Sequence, residues 1–191
     1  MSFPPMAGRL VVVGGWGVRA EMLADLYGFW PGTVELVPLN DSLIARCDSV
    51  ADVADELLSR YPETSVWMGW SLGAQIVMEA ASRDTAAVSA AITLAGFPKF
   101  IADERWLNGM SEDEFDVFRR GLSRESERYW VHFLLLMISG AAEGRAERQR
   151  LKIWLDQGPP VSPGNLMKSL NWLQQTDQRL LWSQVEVPVL H

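Results

Sequence analysis

Apolar residues recur along this chain with two different periods, and the change from one to the other divides it. Residues 10–13 are a short, wholly apolar run of the kind that fills buried parallel strands. Gly14-Gly15-Trp16-Gly17 breaks the run, and residues 20–27 then read as a helix. A second strand is predicted over residues 33–39. Residues 50–61 follow, with Val50, Val53, Ala54, Leu57 and Leu58 on one helical face and Pro62 as the stop. A third apolar run, Val66-Trp67-Met68, enters Gly69-Trp70-Ser71-Leu72-Gly73 and continues into helical spacing over residues 72–82. Residues 88–94 form a fourth run, closed by Gly96 and Pro98. Strands alternating with helices predict an α/β fold with a mostly parallel sheet covered by helices on both faces.

Beyond Pro98 the period is helical throughout. Ser111-Glu112-Asp113-Glu114 is a capping box, opening a helix with Phe115 and Phe118 turned inward. Residues 124–137 make a second helix, striped by Tyr129, Trp130, Phe133, Leu134 and Met137. A third spans residues 142–155 and ends before Gly158-Pro159-Pro160. Ser162-Pro163 is an N-cap followed by proline at the first helical position, ahead of a fourth helix over residues 165–175. Residues 185–191 return to strand-like alternation. The chain therefore divides into an α/β core at residues 1–98, an inserted helical segment at 99–180, and a returning core strand at 181–191.

Its 191 residues suffice for one domain with a real core, and nearly half of them are apolar. Residues 1–5 have neither the basic start nor the apolar stretch of a signal peptide. The longest apolar run, residues 133–138, is far short of the ~20 residues that span a bilayer. The single Cys47 excludes an internal disulfide and reads as a small, semi-buried residue without a chemical task. A soluble, cytoplasmic protein is expected, with no membrane contact. The net charge of −7 argues against nucleic acid as a partner. Charge is nevertheless uneven: residues 119–152 hold eight basic side chains and four acidic ones. That surplus suits an acidic partner, or equally a solvated helix face with acids such as Glu143 and Glu147 one turn apart facing arginines.

Chemistry centres on Ser71. A G-x-S-x-G between strand and helix is a nucleophile elbow, whose glycines are required because side chains two positions from the serine would meet the neighbouring strand or helix. In this architecture the residue after the nucleophile, Leu72, offers one backbone N–H to an oxyanion. The loop after an early strand offers another, here Trp16. No His, Cys and carboxylate residues have metal-ligand spacing, so no metal is expected. Gly14-Gly15-Trp16-Gly17 lacks the spacing of a dinucleotide-binding turn.

Four segments carry a family resemblance. They are Val11-Val12-Val13-Gly14-Gly15-Trp16-Gly17, Trp67-Met68-Gly69-Trp70-Ser71-Leu72-Gly73-Ala74, Thr93-Leu94-Ala95-Gly96-Phe97-Pro98-Lys99-Phe100 with Trp106, and Val187-Pro188-Val189-Leu190-His191. In this order they resemble the α/β-hydrolase superfamily, and within it the pimeloyl-[acyl-carrier protein] methyl ester esterases of biotin synthesis. The resemblance implies an α/β-hydrolase fold with residues 99–180 as a helical lid. It implies a cofactor-free serine esterase in which Ser71 attacks the ester carbonyl and the amides of Trp16 and Leu72 hold the oxyanion. Trp16, Trp70 and Phe133 would line the acyl pocket. Acyl carrier protein is the implied partner, gripped through Arg128 and Arg145, while His132 and Gln149 stand where further lid residues of that kind are expected.

Two departures accompany the resemblance. Gly14-Gly15 replaces the family's usual His-Gly, which a backbone oxyanion hole tolerates. The triad's aspartate is expected about a turn beyond His191 and its histidine some tens of residues later, so the chain reads as C-terminally truncated, with its last strands missing and little activity. His132, in a lid helix, and His191, in a strand, are poorly placed to be the base. The aspartates of the helical segment lie away from any strand end. Two other readings remain open at this stage: a broad esterase for small esters, and a catalytically inactive binding module that keeps the elbow pocket.

Overall fold

The computed structural model describes residues 8–139 and 144–191. Residues 1–5, the start of the third inserted helix at Ala142, and Glu143 lie outside the described residues. Four strands form the body of one parallel sheet: β1 (Arg9–Val13), β2 (Val34–Val37), β3 (Ser65–Trp70) and β4 (Val88–Leu94). The short β5 (Val189–Leu190) joins at the edge, giving the order β2-β1-β3-β4-β5. Register sets Val37, Val13, Gly69 and Thr93 in one row across the sheet, just below the carboxyl ends of the strands. Ligands of open α/β sheets bind beyond those ends.

The alternation of side chains along each strand divides the core between two faces. Val11, Val13, Trp67 and Ala91 face α3 (Val50–Arg60) and α4 (Leu72–Arg83), whose Val53, Leu57 and Ile76 are wholly buried against them. Leu10, Val12 and Met68 face a 3₁₀ turn at Ala20–Leu23 and α1 (Ala24–Tyr27). The expected cover on both faces is thus complete only on the first. The 3₁₀ turn and α1 carry the second face, where Val66, Ile92 and Leu94 of β3 and β4 are only half-buried.

Two short helices go beyond the sequence expectation. In α2 (Asp41–Arg46), the Asn40 side chain accepts the Leu43 N–H at 3.0 Å, an N-cap bond; α9 (Arg179–Gln184) precedes β5. The four long inserted helices are α5 (Glu112–Arg124), α6 (Ser126–Met137), α7 (Gly144–Gln157) and α8 (Pro163–Gln175). Both bonds of the Ser111–Glu114 capping box are made. Ser162 is the N-cap of α8 by position, but its side chain does not cap. Its hydroxyl and amide both donate to the Asp41 carboxylate, at 2.7 and 2.9 Å, which also accepts from Asn165 and so pins α8 to α2. These donors hold the Asp41 carboxyl below the usual carboxylate range.

Phe115, Leu122, Trp130, Leu134, Leu166 and Trp172 of the inserted helices are buried in one core continuous with the first face of the sheet. The two ends of the insert are tied by charge. Lys99 pairs with Asp103 and Asp177, and Arg179 bridges the same two carboxylates at 3.3 and 2.7 Å. Among the described residues, no helix is long and apolar enough to cross a membrane. Cys47 is more buried than the sequence suggests, and burial pushes its thiol pKa up, which suits a packing role.

Candidate active site

β3 ends at Trp70 and α4 begins at Leu72, so a single residue makes the turn. Ser71 does so at φ 54° and ψ −114°, a sparsely populated conformation for a residue with a side chain. The turn is closed by backbone contact. A Cβ on Gly69 would lie 2.2 Å from the Gly73 carbonyl oxygen, and one on Gly73 would lie 2.4 Å from that of Val13. The Ser71 amide donates to the Leu94 carbonyl at 2.9 Å, locking the bend to the end of β4. Its hydroxyl caps no helix amide, and the residue lines a cavity of about 300 Å³.

The loop after β1 comes in over the serine. A Cβ on Gly15 would sit 3.1 Å from the Trp70 carbonyl oxygen and 3.4 Å from Ser71 Cβ, so the backbone approaches closely where only glycine fits easily. Trp16 follows directly. Among the described residues neither the Trp16 nor the Leu72 amide has a hydrogen-bond acceptor, leaving two donors in segments adjoining Ser71. The loop is held from the other side by the inserted helices. Trp16 Nε1 donates to the Leu166 carbonyl at 2.9 Å, and Trp130 Nε1 donates to that of Gly17 at 2.6 Å. The Trp16 ring meets Phe118 and Phe133 edge-on, with centroids 5.7 and 5.0 Å away.

Trp16, Trp70, Ser71 and Phe133, singled out from the sequence, thus surround one cavity. Val18, Phe97 and Met137 complete its apolar wall and were not anticipated as lining. Met137 lies one helical turn beyond Phe133, a spacing that could have identified it. Ala95, at φ 45°, also borders the cavity.

The two histidines lie elsewhere. His191 Nδ1 is 2.7 Å from Thr93 Oγ1, and its ring stacks on Trp182 at 5.5 Å. His132 is exposed on α6, edge-on to Tyr129. Neither is hydrogen-bonded to Ser71. Arg128 and Arg145 are exposed, on α6 and α7, as is Gln149. Arg128 is paired with Glu125 at 2.9 Å, and together they border a shallow groove of about 510 Å³ that Val131 also lines. No three His, Cys, Asp or Glu side chains gather as a metal site among the described residues. The site can therefore present a serine hydroxyl, two backbone donors and an apolar pocket.

Known proteins resemble this chain over nearly its whole length. The chain is 30% identical over 186 residues to a pimeloyl-[acyl-carrier protein] methyl ester esterase of Sodalis glossinidius, covering 95% of this chain and 72% of that one. An enzyme of the same name from Vibrio vulnificus is 27% identical over the same coverage. Among solved structures, an esterase from Exiguobacterium antarcticum superposes with a TM-score of 0.74 at 14% identity, over 97% of this chain and 73% of that one. That likeness establishes the α/β-hydrolase fold. No protein-family profile matches the chain.

Proposed function

Because the chain belongs to the pimeloyl-[acyl-carrier protein] methyl ester esterase family, we propose that it is a serine carboxylesterase hydrolysing the methyl ester of a pimeloyl chain carried by acyl carrier protein, in the cytoplasm and within biotin synthesis. The reading rests above all on Ser71, held in a strained turn at the wall of an apolar cavity. Ser71 Oγ bonds to the ester carbonyl carbon, and the Trp16 and Leu72 amides receive the negative charge that develops on its oxygen. Collapse breaks the bond to methoxide, which leaves as methanol with the proton that the Ser71 hydroxyl gave up on attack, carried between them by water. Water then releases the carboxylate and restores the serine. Trp70 and Phe133 pack against the acyl chain, and residues 99–180 act as the lid, with Arg128 and Arg145 docking the carrier.

The described residues bring no imidazole to Ser71. The chain by itself is therefore proposed to work only at the residual rate supplied by the oxyanion donors and by binding. The same observation favours a second reading, an inactive binding module that uses the elbow pocket.

A serine-directed phosphonate separates the two. Stoichiometric modification of Ser71, seen by intact and peptide mass and abolished in Ser71→Ala, is expected of the esterase. An unmodified Ser71 after prolonged exposure with free imidazole present as an external base overturns that reading in favour of the binding module.

A further inference from the structure

Gln178 is buried and does not line the cavity before Ser71, yet its hydrogen bonds join α4, α9 and the start of the insert. Its Nε2 donates to the Gln75 carbonyl at 3.0 Å and to Glu79 Oε2 at 2.7 Å, both on α4, 103 and 99 residues earlier. Its Oε1 accepts Trp182 Nε1 of α9 at 3.1 Å. The amide thus uses both its nitrogen and its oxygen, and two acceptors opposite one donor fix which way it faces. Its backbone N–H donates to the Pro98 carbonyl at 2.8 Å.

The segments tied in this way meet at the site. α4 begins directly after Ser71, and its Gln75 N–H returns to the Ser71 carbonyl at 3.4 Å, so a hold on this helix is a hold on the serine. Pro98 directly follows Phe97, which lines the cavity, and the proline ring narrows the backbone freedom of Phe97. This segment runs close to α4: a Cβ on Gly96 would lie 3.0 Å from Ala74 Cβ. The ion pairs of Lys99 and Arg179 join the ends of the insert to each other, and Gln178 carries that junction onto α4.

We infer that Gln178 is a positioning residue of this site: it sets Phe97 against the helix that carries Ser71, and so governs how firmly a tail that reaches Phe97 is held. The inference rests on the esterase reading of Ser71.

Two phosphonates with one leaving group and alkyl tails of one or four carbons provide the test. Intact mass, with free imidazole as external base, gives each rate of Ser71 modification in the 191-residue chain. The ratio of the two rates reads the wall, because loosening of the whole fold slows both probes alike. Gln178→Met keeps the length of the side chain without its amide, and is expected to lower the four-carbon to one-carbon ratio about fivefold. Phe97→Ala is expected to lower it similarly and the double variant no further, since one residue acts through the other. Gln178→Glu sets a carboxylate against Glu79 and is expected to lower the ratio too, while adding Glu79→Gln returns a donor to the pair and restores it. That pair of variants decides alone should Gln178→Met not fold. An unchanged ratio in Gln178→Met, additive losses in the double variant, or no rescue by Glu79→Gln overturns the inference and leaves the esterase reading intact. Failure of both probes to reach Ser71 in the unmodified chain overturns the esterase reading and the inference with it.

Discussion

Gly73 in α4 lies against the carboxyl end of β1, so close that a Cβ there would be 2.4 Å from the Val13 carbonyl oxygen. The strand that leads into the Trp16 loop and the helix that follows Ser71 are thereby held in backbone contact. All three atoms nearest a new methyl at this point are main-chain atoms of Val13 and Gly14, so no rotamer change relieves the overlap. Gly73→Ala is expected to cost about 3 kcal/mol, the upper part of the usual range for overpacking. A lower urea midpoint at unchanged slope would record it, together with a large loss of phosphonate modification at Ser71.

The strain at Ser71 makes an opposite prediction. Glycine tolerates φ 54° and ψ −114° without a Cβ clash, whereas alanine retains the clash. Ser71→Gly is expected to be more stable than Ser71→Ala by about 1 kcal/mol, since strain of about 1–3 kcal/mol is relieved against the greater chain entropy of glycine. Both variants lose the nucleophile. Comparing their urea midpoints weighs the strain of the turn against that entropy, and equal midpoints would show that the turn stores no more strain than the entropy of glycine offsets.

Local rules made much of this molecule legible. β4 spans residues 88–94 and α5 starts at its capping box, because an unbroken apolar run and a cap are each specified by adjacent residues. The elbow is legible for the same reason: its glycines and serine are neighbours in sequence. What escapes is set by distant partners. Ser162 offers a capping hydroxyl, but the Asp41 carboxylate, 121 residues away, takes it. The cavity joins Val18 after β1, Phe97 after β4 and Met137 at the end of α6, and a wall assembled from three segments has no period along the chain. α2 and α9 are each only six residues long, too short for a helical stripe to stand out.

At the ends of the insert, Asp177 is held down to about 2 by its hydrogen bond with Arg179, with Lys99 and the Arg179 charge adding to the effect. An unfolded aspartate titrates near 3.9. A carboxylate with a depressed folded-state pKa contributes stability that is fully present above about pH 4 and is lost as the pH falls towards 2. Asp177→Asn is expected to lower the urea midpoint at pH 6, with the gap to the unmodified chain narrowing between pH 4 and pH 2. A gap constant across that range would assign the loss to packing. Its side chain is partly solvated, so the gap at pH 6 is modest.

Arg128 is the proposed carrier contact with the most specific structural setting. Its side chain is 75% exposed, yet Glu125, one turn earlier, already pairs with its guanidinium. An incoming acidic surface must displace or share that partner, so Glu125 acts as an internal competitor. Arg128→Glu combined with Arg145→Glu is expected to weaken carrier-protein binding about tenfold at low salt. Glu125→Gln is expected to strengthen it, by leaving Arg128 without its intramolecular carboxylate. Both effects shrink as salt rises, because the charges concerned lie at the surface. Surface plasmon resonance with immobilised carrier protein measures all three. If removing Glu125 weakens binding instead, that carboxylate aids docking and the proposed role of Arg128 fails.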